Sequence, residues 1–175
     1  MKINRTVTLT ALAAAAALSV ASPATAAPAL QTFGDGVVTI SGSTVTIDNG
    51  AGQYGGVYLK SRSTSGKKLS AVDFSFTNSG DTAGGAPRFS IPIDTDADGS
   101  TDNGYAFIDV NNCGSNTVST ESATCQVFFN SEPAGYANWD AFAAAHPTWR
   151  VDPSGIPFVI ADAPGQYAVS DISLR

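Results

Sequence analysis

Apolar segments in this chain are short, rich in Val, Ile, Phe and Tyr, and bounded by Gly, Ser, Asn, Asp or Pro. Side chains alternate between faces along a strand and recur every 3.6 residues along a helix, so short alternating runs between turn residues restrict a chain to strands and tight turns. Val38-Thr39-Ile40 and Val45-Thr46-Ile47 alternate around Gly42-Ser43, which predicts a two-residue hairpin of type II′ with glycine first. The same signature recurs at Val57–Leu59, Val72–Phe76, Phe89–Ile93, Tyr105–Val110, Gln126–Phe129, Ile156–Ala161 and Tyr167–Leu174. About nine or ten such strands with short turns predict an all-β fold, an antiparallel sandwich or jelly roll.

Val72, Phe74 and Phe76 form one apolar stripe, and Phe89, Ile91 and Ile93 form another. Pro92 lies on the opposite side of its strand and cannot donate a ladder bond. That predicts an edge strand or an outward-facing proline. One segment departs from the strand pattern. Asn138-Trp139-Asp140-Ala141-Phe142-Ala143-Ala144-Ala145 reads as a short helix with Asn138 as N-cap, Asp140 in the first turn and Pro147 as the stop. Two turns are too few for a core layer, so the helix is expected to lie across one end of the sandwich.

The first 26 residues read as an export signal. Lys2 and Arg5 precede an apolar run from Val7 to Val20, and Ser22-Pro23-Ala24-Thr25-Ala26 supplies small residues for cleavage after Ala26. The run is too short for a spanning helix, so secretion is expected and membrane insertion is not. Cleavage leaves residues 27–175 as a single domain. It also removes two of nine basic residues, leaving seven against fifteen acids, a net charge of −8. Such a charge, without a basic cluster beyond Lys67-Lys68, argues against nucleic-acid partners. Cys113 and Cys125 are the only cysteines, and an isolated pair in an exported chain predicts a disulfide. Closing such a loop stabilises by roughly 3 kcal/mol in the chain-entropy picture.

Asp94-Thr95-Asp96-Ala97-Asp98-Gly99-Ser100-Thr101-Asp102 places carboxylates at alternate positions around a glycine that permits a sharp turn. Oxygen ligands from Asp94, Asp96, Asp98, Ser100 and Asp102 suit a hard cation, Ca²⁺ above all, in a structural role. The run is similar to the opening of an EF-hand-type calcium loop and to the looser Asp-rich loops that join strands in secreted bacterial proteins. Tyr105 stands where an EF-hand has its bidentate Glu, and the flanks read as strands, so a true EF-hand is not expected.

Catalytic signatures are sparse. Acids crowded into one turn suit a metal better than a glycosidase, which needs two carboxylates across a cleft. There is neither a Gly-x-Ser-x-Gly element nor a His-Glu-x-x-His pair. His146 reads as a partner for the helix C-terminal dipole. Aromatic side chains remain as candidates for a sugar platform. Tyr136, Trp139 and Trp149 cluster around the helix, and Tyr54, Tyr58, Tyr105 and Tyr167 lie on or beside strands. Core packing is the competing role for each ring. Arg88 begins a strand and is expected to pair with a carboxylate at a sheet end.

Four pieces carry a wider likeness: Gly84-Gly85-Ala86-Pro87-Arg88-Phe89 leading into a strand, the acidic loop, the Trp139-to-Pro147 helix, and the closing Val169-Ser170-Asp171-Ile172. In that order they resemble secreted bacterial jelly-roll domains, often of carbohydrate-binding type. The resemblance implies a non-catalytic module for a glycan or other cell-surface polymer. The alternatives are a surface or matrix protein working by adhesion or assembly, and a small hydrolase using metal or carboxylates.

Overall fold

A computed structural model describes residues 27–100, 104–130 and 132–175. The expected export signal and Asp102 lie outside the described residues. Two antiparallel sheets form a β-sandwich. In the larger, β1 (Ala29–Gly34), β4 (Gly55–Lys60), β11 (Phe158–Ala161), β6 (Arg88–Asp94), β7 (Gly104–Asp109) and β9 (Phe128–Phe129) are successive neighbours. β10 (Arg150–Val151) also pairs with β6. The smaller sheet runs β2 (Val37–Ser41), β3 (Thr44–Asn49), β12 (Gly165–Leu174), β5 (Phe74–Asn78) and β8 (Thr117–Ser119).

Both predicted stripes face the space between the sheets. Val72, Phe74 and Phe76 are buried, as are Phe89, Ile91 and Ile93. The Phe89 ring reaches across to Phe74 at 5.8 Å and to Phe76 at 4.9 Å. Fully burying each such side chain contributes roughly 1.5–3 kcal/mol against the entropy of ordering it. The predicted hairpin is present: Ser41 pairs with Thr44, and Gly42 takes the positive φ of 59° that a type II′ turn needs at its first position.

Three strands were not legible as such. β1 is largely exposed, and β8 and β10 span three and two residues, too few to show a period. Of the two alternatives for Pro92, the edge strand is overturned: β6 is central, and Pro92 stands on its outer side, opposite the core-facing Ile91 and Ile93, where it is covered. Tolerance comes from a break in the ladder. β11 pairs with β6 over Arg88–Ser90 and β10 over Ile93–Asp94, so Pro92 falls between them. Its carbonyl accepts from Asp152 N at 3.0 Å, and no neighbour requires the missing donor. Gly155 lies against the ring so closely that a Cβ there would come within 2.6 Å of it.

The helix α1 (Trp139–Ala145) forms as expected, with Asn138 Oδ1 accepting from Ala141 N at 2.9 Å. It buries Trp139, Phe142 and Ala143. Cys113 and Cys125 form a disulfide that spans the segment carrying β8. Among the described residues, no helix is long and apolar enough to cross a membrane.

Candidate functional site

Register aligns one residue from each of six strands into a single row across the outer face of the larger sheet. Gln31 pairs with Tyr58, Tyr58 with Phe158, Phe158 with Ser90, Ser90 with Phe107, and Phe107 with Phe128. Four of the six are aromatic. Their strands turn the intervening residues inward: Leu59, Val159, Phe89 and Ile108 are wholly buried, whereas Tyr58, Phe158, Phe107 and Phe128 are half-buried. An outer sheet face of this kind ordinarily carries polar residues. Here it carries rings.

Neighbouring positions extend the row. Phe33 lies 4.5 Å from Tyr58 and 5.5 Å from Phe158, and Tyr105 lies 5.7 Å from Phe158 and 6.4 Å from Phe107. Tyr54, 46% exposed, continues the set beyond Phe33. Gly56 makes room for the Phe33 ring, since a Cβ there would meet it at 2.6 Å. From β1 to β7 the rings cross four inter-strand gaps, about 19 Å at the usual strand spacing.

Ser90 sits in the floor of this face, 1% exposed, and its hydroxyl has no hydrogen-bond partner among the described residues. At the end of β6, Arg88 donates to both carboxylate oxygens of Asp162 at 2.6 Å. This is the sheet-end partner that sequence left unnamed. The guanidinium also lies 5.6 Å from the centre of the Phe107 ring. Its charge holds the Asp162 carboxyl below the ordinary carboxylate range, chiefly through the hydrogen bond and despite partial burial.

The aromatic residues predicted around the helix have other roles. Trp139 is 2% exposed, with its indole N–H donating to Leu69 O at 2.8 Å, so it belongs to the core and presents no ligand surface. Trp149 packs on Phe129 at 5.0 Å and stacks on His146 at 3.5 Å. The Tyr136 hydroxyl meets Glu132 Oε2 and, at 2.8 Å, His146 Nε2. Glu132 raises the Tyr136 phenol to about 12, first by hydrogen bonding and also by its charge, with burial adding. His146 is thus the centre of a Tyr–Glu–His cluster fastening residues 132–136 to the helix end, a tertiary role beyond the expected dipole partner. Tyr167 is wholly buried, and its hydroxyl donates to Ala163 O at 3.0 Å.

The acidic run joins β6 to β7 as a loop. Carboxylate oxygens of Asp94, Asp96 and Asp98 converge within 4.8 Å of one another, a spacing one cation could bridge. Asp94, 1% exposed, organises the loop: Oδ1 accepts from Ala97 N at 2.6 Å and Oδ2 from Gly99 N at 3.0 Å. Asp98 Oδ1 accepts from Ser100 N at 2.7 Å, and hydrogen bonds from Ser100, side chain foremost, hold the Asp98 carboxyl below its usual range. Tyr105, at the twelfth loop position, contributes its ring to the aromatic face. Asp152, distant in sequence, follows β10 beside Pro92; it is 1% exposed and its Oδ2 has no hydrogen-bond partner.

Sequence reasoning picked out Tyr54, Tyr58 and Tyr105 from this face and missed Phe33, Phe107, Phe128 and Phe158. One signal was available: in Tyr105-Ala106-Phe107-Ile108 both alternating sets are apolar, which a half-exposed strand does not require. The fold and this surface define an all-β sandwich with an aromatic outer face and an acidic hairpin loop. No protein-family model matches the chain, and no curated protein matches it.

Proposed function

We propose that this is a secreted, non-catalytic binding module that holds a glycan on the aromatic face of its larger sheet. The observation that carries the reading is the register row, which presents half-exposed rings from four strands at the repeating spacing of a sheet. Ring faces and edges stack against the C–H faces of pyranose units, while the hydroxyls of Tyr54, Tyr58 and Tyr105 hydrogen-bond to sugar hydroxyls. A face about 19 Å across accommodates several consecutive units of a chain. The export signal and the disulfide are consistent with an extracellular site of action. Ca²⁺ at Asp94, Asp96 and Asp98, with Ser100 and Asp102 as further oxygen donors, has a structural role in this reading and stabilises the hairpin adjoining Tyr105.

The test is retention on insoluble polysaccharides and titration against soluble ones by calorimetry, comparing wild type with Tyr58→Ala and Phe158→Ala. The reading requires at least one glycan whose affinity falls about tenfold or more in both variants. If no glycan is retained across a broad panel, the reading fails. A second reading, self-assembly or adhesion, is favoured by the exposed edge strand β2, where Val37 is 67% and Ile40 is 40% exposed. Concentration-dependent light scattering that disappears in Ile40→Lys distinguishes it.

A further inference from the structure

At the Ile156 end of the aromatic face lies a cavity of about 320 Å³ whose lining includes Lys60, Arg62, Ser61, Ser65, Ser154 and Ile156. It is continuous with the rings. Tyr58 and Lys60 are two residues apart on β4 and share its outer face. Leu59 N donates to Pro157 O at 2.8 Å, so the β4–β11 ladder runs past Phe158 and sets Ile156 opposite Lys60. Ile156 is 42% exposed, which extends the apolar surface to the rim of the cavity.

The charge of this cavity is opposite to that of the molecule. Among the described residues its lining holds two bases and no acid, although the mature chain carries fifteen acids against seven bases. Of the other bases, Arg88 pairs with Asp162 and Arg150 Nη1 donates to Gly66 O at 3.1 Å, while Lys67, Lys68 and Arg175 lie outside the lining. Lys60 and Arg62 make no salt bridge among the described residues. Two unpaired cations at one end of a ring platform match a sugar unit that carries a carboxylate. The serines are already donors within the protein: Ser154 Oγ to Asp152 Oδ1 at 2.7 Å, Ser61 Oγ to Ser63 Oγ at 2.9 Å. Ser61 Oγ keeps a lone pair for a sugar hydroxyl, which leaves Lys60 and Arg62 for the anion.

We infer that the glycan is an acidic one, with the carboxylate of a uronate unit held by Lys60 and Arg62 while the adjacent unit stacks on Tyr58 and Phe158. This rests on the glycan-binding reading above and specifies its ligand. Asp152 lies behind the wall at Ser154 and Gly155, with Oδ1 accepting from Ser154, and Lys60 and Arg62 outnumber it at the cavity; acids beyond about 8 Å are largely screened at physiological ionic strength.

The experiment titrates the protein by calorimetry with oligogalacturonates, oligoglucuronates and oligomannuronates, each beside its fully methyl-esterified form at constant ionic strength. Esterification removes the charge and leaves the rings. Expected are about tenfold or greater preference for the acid form of at least one pair, loss of that preference in Lys60→Ala/Arg62→Ala, and weakening of both forms in Tyr58→Ala. Near-UV circular dichroism of the double variant should match wild type, both positions being exposed. If esters bind as tightly as acids in every pair, or only neutral glycans bind, the inference is overturned and the glycan reading stands. If no oligosaccharide of either kind binds, both fall.

Discussion

Tyr58 and Phe158 are register partners on β4 and β11, and their rings meet nearly perpendicular, 5.8 Å apart, on the outside of the sandwich. An edge-to-face pair contributes about 0.5–1.5 kcal/mol beyond its area burial, so this contact also stabilises the sheet it decorates. Phe158 touches Phe33, Tyr58 and Tyr105 at once, which makes it the structural centre of the face.

Binding and stability can therefore be separated by choice of residue. Tyr54→Ala, at the exposed end of the face, should weaken glycan binding with a melting shift within about 1–2 °C. Phe158→Ala should weaken binding and also lower the midpoint by roughly 4–12 °C, for about 2–3 kcal/mol of lost packing. Calorimetric titration and thermal melts of both variants check this; equal melting losses would contradict the placement of Phe158 at the centre.

Ser90→Ala should leave stability unchanged or raise it by up to about 1 kcal/mol, because the substitution removes a buried hydroxyl that has no partner. Urea unfolding measures the change. A loss above about 1 kcal/mol would mean that the hydroxyl has a bonded partner in solution.

Calcium at the acidic loop should stabilise the fold. A cation bound only to the native state at a hundredfold excess over Kd adds about 2.7 kcal/mol, so chelation should lower the melting midpoint by about 5–11 °C. Asp98→Ala should abolish that shift. Asp94→Asn should lower the midpoint even in chelator, because Asp94 uses both oxygens to hold Ala97 N and Gly99 N and an amide offers only one acceptor. Glu121→Gln is the control. Asp152 cannot serve, being buried and bonded to Ser154. Identical melts in chelator and millimolar-range calcium at matched ionic strength would remove the metal from this account.

The Arg88–Asp162 pair predicts a pH dependence. The Asp162 carboxyl is lowered in the folded state, so its contribution is present above the unfolded value near 3.9 and is lost as pH falls through the folded value. Both side chains are partly exposed, at 21% and 38%, which keeps the contribution to about 1 kcal/mol or less. Asp162→Asn should be slightly less stable than wild type at neutral pH and should converge with it in acid, once pH has fallen through the lowered folded value. A stability gap that persists unchanged in acid would disprove the assignment.

At the alkaline end, Tyr136 ionises near 12 in the folded protein, above its ordinary value of 10. The unfolded chain loses this proton first, so the stabilisation is complete below pH 10 and disappears between 10 and 12. In a tyrosinate absorbance titration, Tyr136→Phe should remove one late step and flatten part of the alkaline loss of stability. An unaltered late step would place the shift on another tyrosine.

Local pattern was enough for the class of fold. The period-two stripes at Phe74/Phe76 and Phe89/Ile91, the Gly42-Ser43 turn and the Asn138 cap were readable because each depends on residues a few positions apart. The acidic loop and the cysteine pair were visible for the same reason. Register was not. Gln31, Tyr58, Ser90, Phe107, Phe128 and Phe158 come from six strands scattered along the chain, and no short-range rule aligns them. Only strand order and hydrogen-bond register bring them into one row, and a one-residue slip of any strand would turn its member inward. Pro92 and Trp139 show the same division. A proline's missing donor is a local fact, but whether a neighbour demands it depends on where β10 and β11 divide. A tryptophan beside a helix cap is local too, but its burial against Leu69 is decided by packing against a segment seventy positions away in the chain. Sequence set which residues could form strands, turns and a loop for a cation; long-range pairing decided which rings face water.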